Sequence, residues 1–324
     1  MLPDFLRMLA FALGLALTLT TGVRADGVTR IRLDYASYNP VSLVLKNKGL
    51  MEAEFAKDNI AIEWVESAGS NIALTNLQKD SLDFGSAAGA AALLARAGGA
   101  QIKAIYVFSR PEWTALVVPA NSPLQSVADL KGKKIAATKG TDPHVFLLRA
   151  LDGAGLTDKD VTVVPLQHAD GRIAMQKGDV DAWAGLDPLM AQAEISDHAR
   201  LLFRDPYLNT YGLLVVREAF MTAHPELVQR VLKVYDAARL WALQNPDALR
   251  AAVVQMAKVE DAVAARQLER TDLRNSAIGQ AQQRTIQAAG EALQHAGIFP
   301  ANVDVAATVG ALIDRRFVIK TAQQ

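Results

Sequence analysis

The sequence predicts an α/β fold with two lobes, each built on a mostly parallel sheet flanked by helices. Short apolar segments typical of strands alternate with helical segments, both before residue 110 and after residue 130, and such alternation is typical of parallel sheets. Two strongly apolar segments, residues 113–118 and 213–217, each follow one of these series and are candidate crossing strands.

Residues 77–85 also resemble residues 175–184. Two lobes built on one plan would explain this match, and chance similarity of helix–turn–strand units is the alternative.

The first lobe is predicted to comprise residues 26–115 and 214–324, and the second lobe residues 116–213. Hydrophobic patterning predicts four strands in the first lobe, at residues 31–35, 60–66, 82–86 and 102–108. Helical spacing of apolar residues predicts helices between them, at residues 41–57, 72–79 and 90–97. Amphipathic helices that pack on this lobe are predicted towards the end of the chain, at residues 225–244, 246–258, 261–270, 280–296 and 305–317.

The second lobe repeats the alternation of strands and helices. Its strands are predicted at residues 135–138, 161–166, 180–184 and 200–203. Its helices are predicted at residues 127–130, 142–151, 170–177 and 189–195. Asp187 and Pro188 indicate the start of the last of these helices, because a capping carboxylate followed by proline is a common helix start.

Small residues follow three consecutive strands of the first lobe. They are Ser37, Tyr38 and Asn39 after the first strand, Gly69, Ser70 and Asn71 after the second, and Ser86, Ala87 and Ala88 at the third. The carboxyl ends of parallel strands share one edge of the sheet, where ligands bind. Any one of these loops could be explained by turn and capping preferences alone. The occurrence of three such loops at one edge favours a binding site.

A strand-to-helix turn in the second lobe is the strongest candidate for anion binding. Lys139 and Gly140 end a strand, and Thr141 or Asp142 then caps a helix with Pro143 in its first turn. The free N–H groups and the dipole at a helix start favour an anion. Most such turns in α/β folds bind nothing, so the prediction depends on the convergence of this turn with the three loops.

Residues 1–25 have the pattern of a secretory signal peptide. Residues 9–19 form an almost unbroken apolar run, and Ala25 is a small residue suited to cleavage before Asp26. A membrane anchor is the alternative, but the apolar run is shorter than the roughly 20 residues that a spanning helix needs. The sequence has no cysteine, so disulfides, thiolate metal sites and a lipid anchor near the cleavage site are not expected.

Composition and motifs argue against several function classes. The chain has 34 Lys and Arg against 34 Asp and Glu, and nucleic-acid binding would need a basic surface. The five histidines have no metal-ligand spacing, and no nucleotide-binding or hydrolase motif is present; they are His144, His168, His198, His224 and His295. We therefore expect no catalytic residues, no cofactor and no metal.

Several segments resemble the periplasmic binding proteins for aliphatic sulfonates, which are components of ATP-binding-cassette (ABC) importers. The resemblance runs over most of the chain after residue 25 and is densest in residues 114–190. The segments that carry it are residues 126–136, 139–141 with His144, 148–151, 155–156 and 174–183. It implies a two-lobed periplasmic binding protein of type II, with a small organic anion in the cleft between the lobes. It also implies a monomer that is located in the periplasm, meets an ABC permease in the inner membrane and binds no nucleic acid.

The resemblance assigns the anion's head group to the small polar loops of both lobes. These residues are Ser37, Tyr38, Asn39, Gly69, Ser70, Asn71, Ser86, Ala87, Ala88, Gly140, Thr141 and Asp142. Residues near the rest of the ligand are expected to be Trp113, Leu186, Asp187, Tyr211 and Arg270. Two positions depart from the family pattern. Leu186 replaces a usual tryptophan, and residues 36–39 replace a usual Gly-Tyr-Gln loop, so the ligand's tail stays open.

Alternative functions remain open at this stage. The family includes proteins for taurine and nitrate, and an aromatic carboxylate or sulfonate would also suit the predicted site. A cofactor-biosynthesis enzyme on the same scaffold is a further alternative, and a ligand-sensing partner of a membrane receptor is another.

Overall fold

The computed structural model describes residues 27–317, so the predicted signal segment lies outside the described residues. The strands in this part of the chain are β1 (Arg30–Tyr35), β2 (Ala61–Glu66), β3 (Phe84–Ala88), β4 (Ile102–Pro111), β5 (Leu116–Val118), β6 (Lys134–Ala137), β7 (Thr162–Pro165), β8 (Ala182–Ala184), β9 (Arg200–Phe203), β10 (Gly212–Arg217) and β11 (Thr271–Asp272). The α-helices are α1 (Pro40–Asn47), α2 (Leu50–Phe55), α3 (Ser70–Gln78), α4 (Gly89–Ala97), α5 (Asp142–Gly153), α6 (His168–Lys177), α7 (Leu189–Ser196), α8 (Glu218–Ala223), α9 (Pro225–Gln244), α10 (Pro246–Ala257), α11 (Asp261–Glu269), α12 (Gln280–His295) and α13 (Val305–Leu312).

The strands form two sheets, which confirms the predicted α/β fold with two lobes. The first sheet has the order β11-β4-β10-β3-β1-β2, and the second has the order β7-β6-β8-β5-β9. Strand β1 is parallel to β2 and β3, and β6 is parallel to β7 and β8. In each sheet, the strand that the chain enters directly after crossing from the other sheet is antiparallel to both of its neighbours. This strand is β10 in the first sheet and β5 in the second. Each sheet is therefore mixed. The chain crosses between the sheets at the carboxyl ends of the parallel strands, so the strand after a crossing runs in the opposite direction.

The strands of the first sheet come from residues 30–111, 212–217 and 271–272, and those of the second from residues 116–203. The lobe boundaries given by the sequence stay a prediction. The apolar core of the first sheet is one large cluster, which includes Phe84, Leu214, Val231 and Ile286. The second sheet has a cluster on each face, around Phe146 and Trp183. Within residues 27–317, the helices are all too short or too polar to cross a membrane.

The prediction of one continuous helix over residues 41–57 is wrong. The chain forms α1 and then α2, and Gly49 between them has a φ of +62°. This left-handed conformation is available to glycine at little cost and interrupts the helical path. The apolar spacing on both sides of Gly49 stays in phase, so the pattern alone could not show the break.

Other differences concern the ends of elements. The predicted strand over residues 113–118 is confined to β5, and the amide of Thr114 donates to Asn209 Oδ1 instead. The predicted last helix ends at Leu312, after which Ile313 pairs with Ala104. The short elements α8 and β11 were not predicted. Helix α8 has fewer than two turns and strand β11 has two residues, so neither carries a usable periodicity.

Candidate ligand-binding site

Hydrogen bonds join the three polar loops of the first sheet. Tyr38 Oη donates to the carbonyl oxygen of Ser86 at 2.8 Å, and Asn39 Nδ2 donates to Ser86 Oγ at 2.8 Å. The amide of Ala88 donates to Ser70 Oγ at 3.0 Å. The loops after β1 and β2 therefore meet at the end of β3, as the parallel order of these strands predicted.

Asn39 shapes the first of these loops. Its side chain caps α1, because Oδ1 accepts a hydrogen bond from the amide of Ser42. Its Nδ2 also reaches Tyr235 Oη at 2.6 Å, and the whole residue is buried. Pro40 then occupies the first turn of the helix, where its missing N–H is not needed.

Asp34 is a buried carboxylate beneath the loops that the sequence analysis did not single out. Its oxygens accept hydrogen bonds from the amide and the hydroxyl of Ser86 at 2.8–2.9 Å. Burial raises the pKa of Asp34 to about 6, although the hydrogen bonds from Ser86 oppose the shift. Asp34 accepts from both donors of Ser86, so the Ser86 hydroxyl, which also accepts from Asn39, has no hydrogen left for a ligand.

The β3 residues lie deeper than predicted. The strand continues to Ala88, and Ala87 is paired with Leu213 of β10. Both alanines are buried. The sequence predicts an end of this strand at Ser86, because two alanines carry no strand signal.

The predicted anion-binding turn of the second sheet is present. Thr141 is the N-cap of α5, and its hydroxyl donates to the carbonyl oxygen of Thr138 at 2.6 Å. Gly140 has a φ of +76°, which a residue with a side chain rarely adopts. A Cβ on Gly140 would lie 3.7 Å from Asn71 Cβ. The starts of α3 and α5 therefore face each other across the two sheets.

The first amides of these two helices have no acceptor among residues 27–317. They belong to Ser70 and Asn71 in α3 and to Thr141 and Asp142 at the start of α5. Such N–H groups are the usual donors to an anion at a helix start.

The carboxylate of Asp142 fastens α5 to both crossing segments. It accepts hydrogen bonds from Trp113 Nε1 at 2.9 Å, from the amide of Thr210 at 2.8 Å and from the Thr210 hydroxyl at 2.6 Å. Burial raises the pKa of Asp142, against the effect of these hydrogen bonds. Thr210, which was not predicted, also accepts a hydrogen bond from the amide of Ala90 at the start of α4.

Of the residues expected near the ligand's tail, Trp113 contacts the first of these loops. The rings of Trp113 and Tyr38 pack edge to face, with centroids 5.8 Å apart. Leu186 belongs to the same apolar cluster, and Tyr211 packs against it. The carbonyl oxygen of Ser37 accepts a hydrogen bond from Gln267 Nε2 at 2.6 Å.

Arg270 is bonded to two carboxylates from the half of the molecule that contains the second sheet. Its Nη1 lies 3.4 Å from Asp187 Oδ1, and its Nη2 is bonded to Glu194 of α7. Burial raises the pKa of Asp187 to about 7, although Arg270 opposes the shift. The guanidinium thus joins the two halves instead of standing free as a cation for a ligand.

His168 also lies at this interface, although the sequence analysis assigned it no role. It is the first residue of α6, it is 2% exposed, and a Cβ on Gly69 would lie 3.0 Å from its Nε2. Burial lowers the pKa of His168 to about 4, so the ring is neutral. A sequence signal existed, because His168 follows a strand end just as the other site loops do.

The NMT1/THI5-like family matches residues 50–249, which is more than half of the chain. The chain belongs to this family. Two curated relatives of this NMT1/THI5-like protein are named putative aliphatic sulfonates-binding proteins. The protein of Bacillus subtilis is 32% identical over 208 residues, 63% of each chain. That of Escherichia coli is 33% identical over 210 residues, 64% of this chain and 65% of its own. The matches thus span slightly less than two thirds of these relatives.

Solved structures confirm the periplasmic binding protein fold of the NMT1/THI5-like chain. The alkanesulfonate-binding protein SsuA from Xanthomonas axonopodis pv. citri, bound to MOPS, is similar with a TM-score of 0.81 and 29% identity. The match covers 89% of this chain and 98% of that one. The desulfurization enzyme DSZB is similar with a TM-score of 0.65 and 14% identity, over 89% and 97% of the chains. At this identity the likeness shows the fold alone, so the same scaffold carries both binding proteins and enzymes.

Proposed function

We propose that this protein binds a small organic anion, an aliphatic sulfonate, between the two sheets. The observation that carries the proposal is the approach of the α3 and α5 starts, where Gly140 faces Asn71 and the first amides have no acceptor among the described residues. A sulfonate is ionised at any physiological pH and offers three acceptor oxygens to such amides. The dipoles of two helices pointing at one anion add to the attraction.

The names of the relatives support a sulfonate over other anions, since both curated proteins cited above carry that name. Trp113 packs against Tyr38 of the first loop. We infer that Trp113, together with Leu186 and Tyr211 of the same apolar region, would contact the organic part of the ligand. Leu186 is smaller than a tryptophan, so this side of the site would accept a bulkier tail.

We place the protein in the periplasm as the solute-binding component of an ABC uptake system, which makes an inner-membrane permease its partner. The chain crosses between the sheets next to β5 and β10, and these crossings would be the hinge. Closure would bring the Arg270 and Asp187 side chains together, as they are in this structure. The permease would then distinguish the closed form from the open one.

The test is a calorimetric screen of the chain from Asp26 onward. The ligands are alkanesulfonates of increasing length, taurine, nitrate and an aromatic carboxylate. We expect the alkanesulfonates to bind with one ligand per chain and nitrate to bind more weakly. A screen in which none of these anions binds would end the proposal. Conversion of a sulfonate or sulfinate, followed by mass spectrometry, would show an enzyme on the same scaffold.

A further inference from the structure

Two unpartnered polar atoms converge beside the loop after β2. His168 Nε2 and Asn71 Oδ1 are both buried, and neither has a hydrogen-bond partner among residues 27–317. A Cβ placed on Gly69 would lie 3.0 Å from Nε2 and 2.8 Å from Oδ1. Both side chains therefore pack closely against the Gly69 backbone, which adjoins the free amides at the start of α3.

The neighbours of His168 determine which ring nitrogen carries the hydrogen. The single hydroxyl hydrogen of Thr138 is donated to the carbonyl oxygen of Leu166 at 2.8 Å. Thr138 Oγ1 lies 3.1 Å from His168 Nδ1. Both contacts are hydrogen bonds only if Nδ1 carries the ring hydrogen and donates it to Thr138. Nε2 of the neutral ring is then an acceptor.

We propose that His168 Nε2 and Asn71 Oδ1 accept hydrogen bonds from the ligand, so that the site selects sulfonates with an amino or hydroxyl group near the sulfonate. This inference rests on the proposed function, in which the α3 amides hold the sulfonate oxygens. A ligand ammonium group has three hydrogens and would satisfy both buried acceptors, whereas a hydroxyl group has one hydrogen and would satisfy one of them. A plain alkyl chain would leave both acceptors without a donor, which weakens its binding.

Three ligands of similar size test the selection by calorimetry: ethanesulfonate, hydroxyethanesulfonate and taurine. We expect the unaltered protein to bind the two donor-bearing ligands about tenfold or more tighter than ethanesulfonate. In His168→Leu, which keeps the Asn71 acceptor, the ratio of the dissociation constants should fall and leave a smaller preference for the donor-bearing ligands. In His168→Gln, which keeps an acceptor, part of the preference should return. The control is His295→Leu, an exposed position at the end of α12, which should keep the full ratio.

Nitrogen NMR of the histidine rings gives a readout that does not depend on measured affinities. We expect His168 to carry its hydrogen on Nδ1 in the ligand-free protein, and its Nε2 resonance to shift when taurine binds. A hydrogen on Nε2, or an existing hydrogen bond from Asn71 Nδ2 to Nε2, would overturn the inference.

The two proposals fail in different ways. Equal affinity for all three ligands, or an equal loss of affinity for all of them in His168→Leu, overturns the donor selection and leaves sulfonate binding intact. Absence of binding by every sulfonate overturns both proposals. A melting curve of each variant shows whether it is folded.

Discussion

Arg270 and Asp187 form a buried ion pair between the two halves of the molecule, with Nη1 of the arginine 3.4 Å from Oδ1 of the aspartate. Arg270 lies between α11 and β11 of the first sheet, and Asp187 lies between β8 of the second sheet and α7. Their side chains are only 5% and 2% exposed. A buried charge that loses its partner is strongly unfavourable, so this pair links the stability of the interface to the protonation of Asp187.

Replacement of Arg270 should therefore destabilise the protein in a pH-dependent way. We expect Arg270→Gln to lower the free energy of unfolding by about 3 kcal/mol at pH 8, where Asp187 must either stay charged without its partner or take up a proton. The loss should be smaller at pH 5.5, because Asp187, with its pKa raised to about 7, is then protonated. Urea unfolding at both pH values measures this. Arg274→Gln, at a side chain that is 81% exposed, is the control, and equal losses in the two variants would contradict the prediction.

The buried carboxylate of Asp34 should lower the free energy of unfolding as the pH rises. Its pKa is raised from 3.8 to about 6 in the folded protein, so the folded state binds the proton more tightly than the unfolded state. The stabilisation present below pH 4 is then lost as the pH rises through 6. Asp34→Asn does not titrate, so its stability relative to the unaltered protein should increase by on the order of 3 kcal/mol between pH 4 and pH 7.

Urea unfolding at intervals across this range measures the difference for Asp34. Asp247→Asn, at a side chain that is 92% exposed, serves as the control and should show a flat difference. A flat difference for Asp34→Asn as well would show that Asp34 does not carry a raised pKa.

A pair of substitutions at Ser70 isolates the contribution of one backbone amide to ligand binding. Proline is tolerated in the first turn of a helix but has no N–H, and Ser70 is the first residue of α3. Ser70→Ala keeps the amide and loses only the hydroxyl that accepts from Ala88. We expect Ser70→Pro to bind alkanesulfonates about tenfold more weakly than Ser70→Ala, since a hydrogen bond to a charged group contributes about 1.5–3 kcal/mol.

Calorimetry with one alkanesulfonate compares the two Ser70 variants directly. Thermal melting of both shows whether the proline is accommodated. Equal affinities in two folded variants would mean that the start of α3 does not hold the anion.

Two glycines in helices should respond in opposite ways to alanine. A Cβ on Gly171 of α6 would lie 2.8 Å from the fully buried ring of Trp183, so Gly171→Ala should destabilise the protein by about 1–3 kcal/mol through overpacking. Gly310 of α13 has open space around it. There Gly310→Ala should stabilise by about 0.5–1 kcal/mol through helix propensity. Chemical denaturation measures both, and changes of the same sign would contradict this account of the packing.

The sequence by itself determined the elements that have local signals. Helix α9 spans the predicted residues 225–244 and β9 the predicted residues 200–203. Proline at a helix start and a regular apolar spacing are properties of neighbouring residues, so they can be read without knowledge of the fold. The order of the first strands likewise placed the three polar loops at one edge.

Only the tertiary structure decided what each site residue contacts. Asp34 lies beneath Ser86, Arg270 meets Asp187, and His168 faces Gly69, although these partners are far apart along the chain. No local pattern encodes such pairs, because they depend on how two separately formed sheets come together. For the same physical reason, burial decided which polar groups keep a free donor or acceptor for a ligand and which are satisfied within the protein.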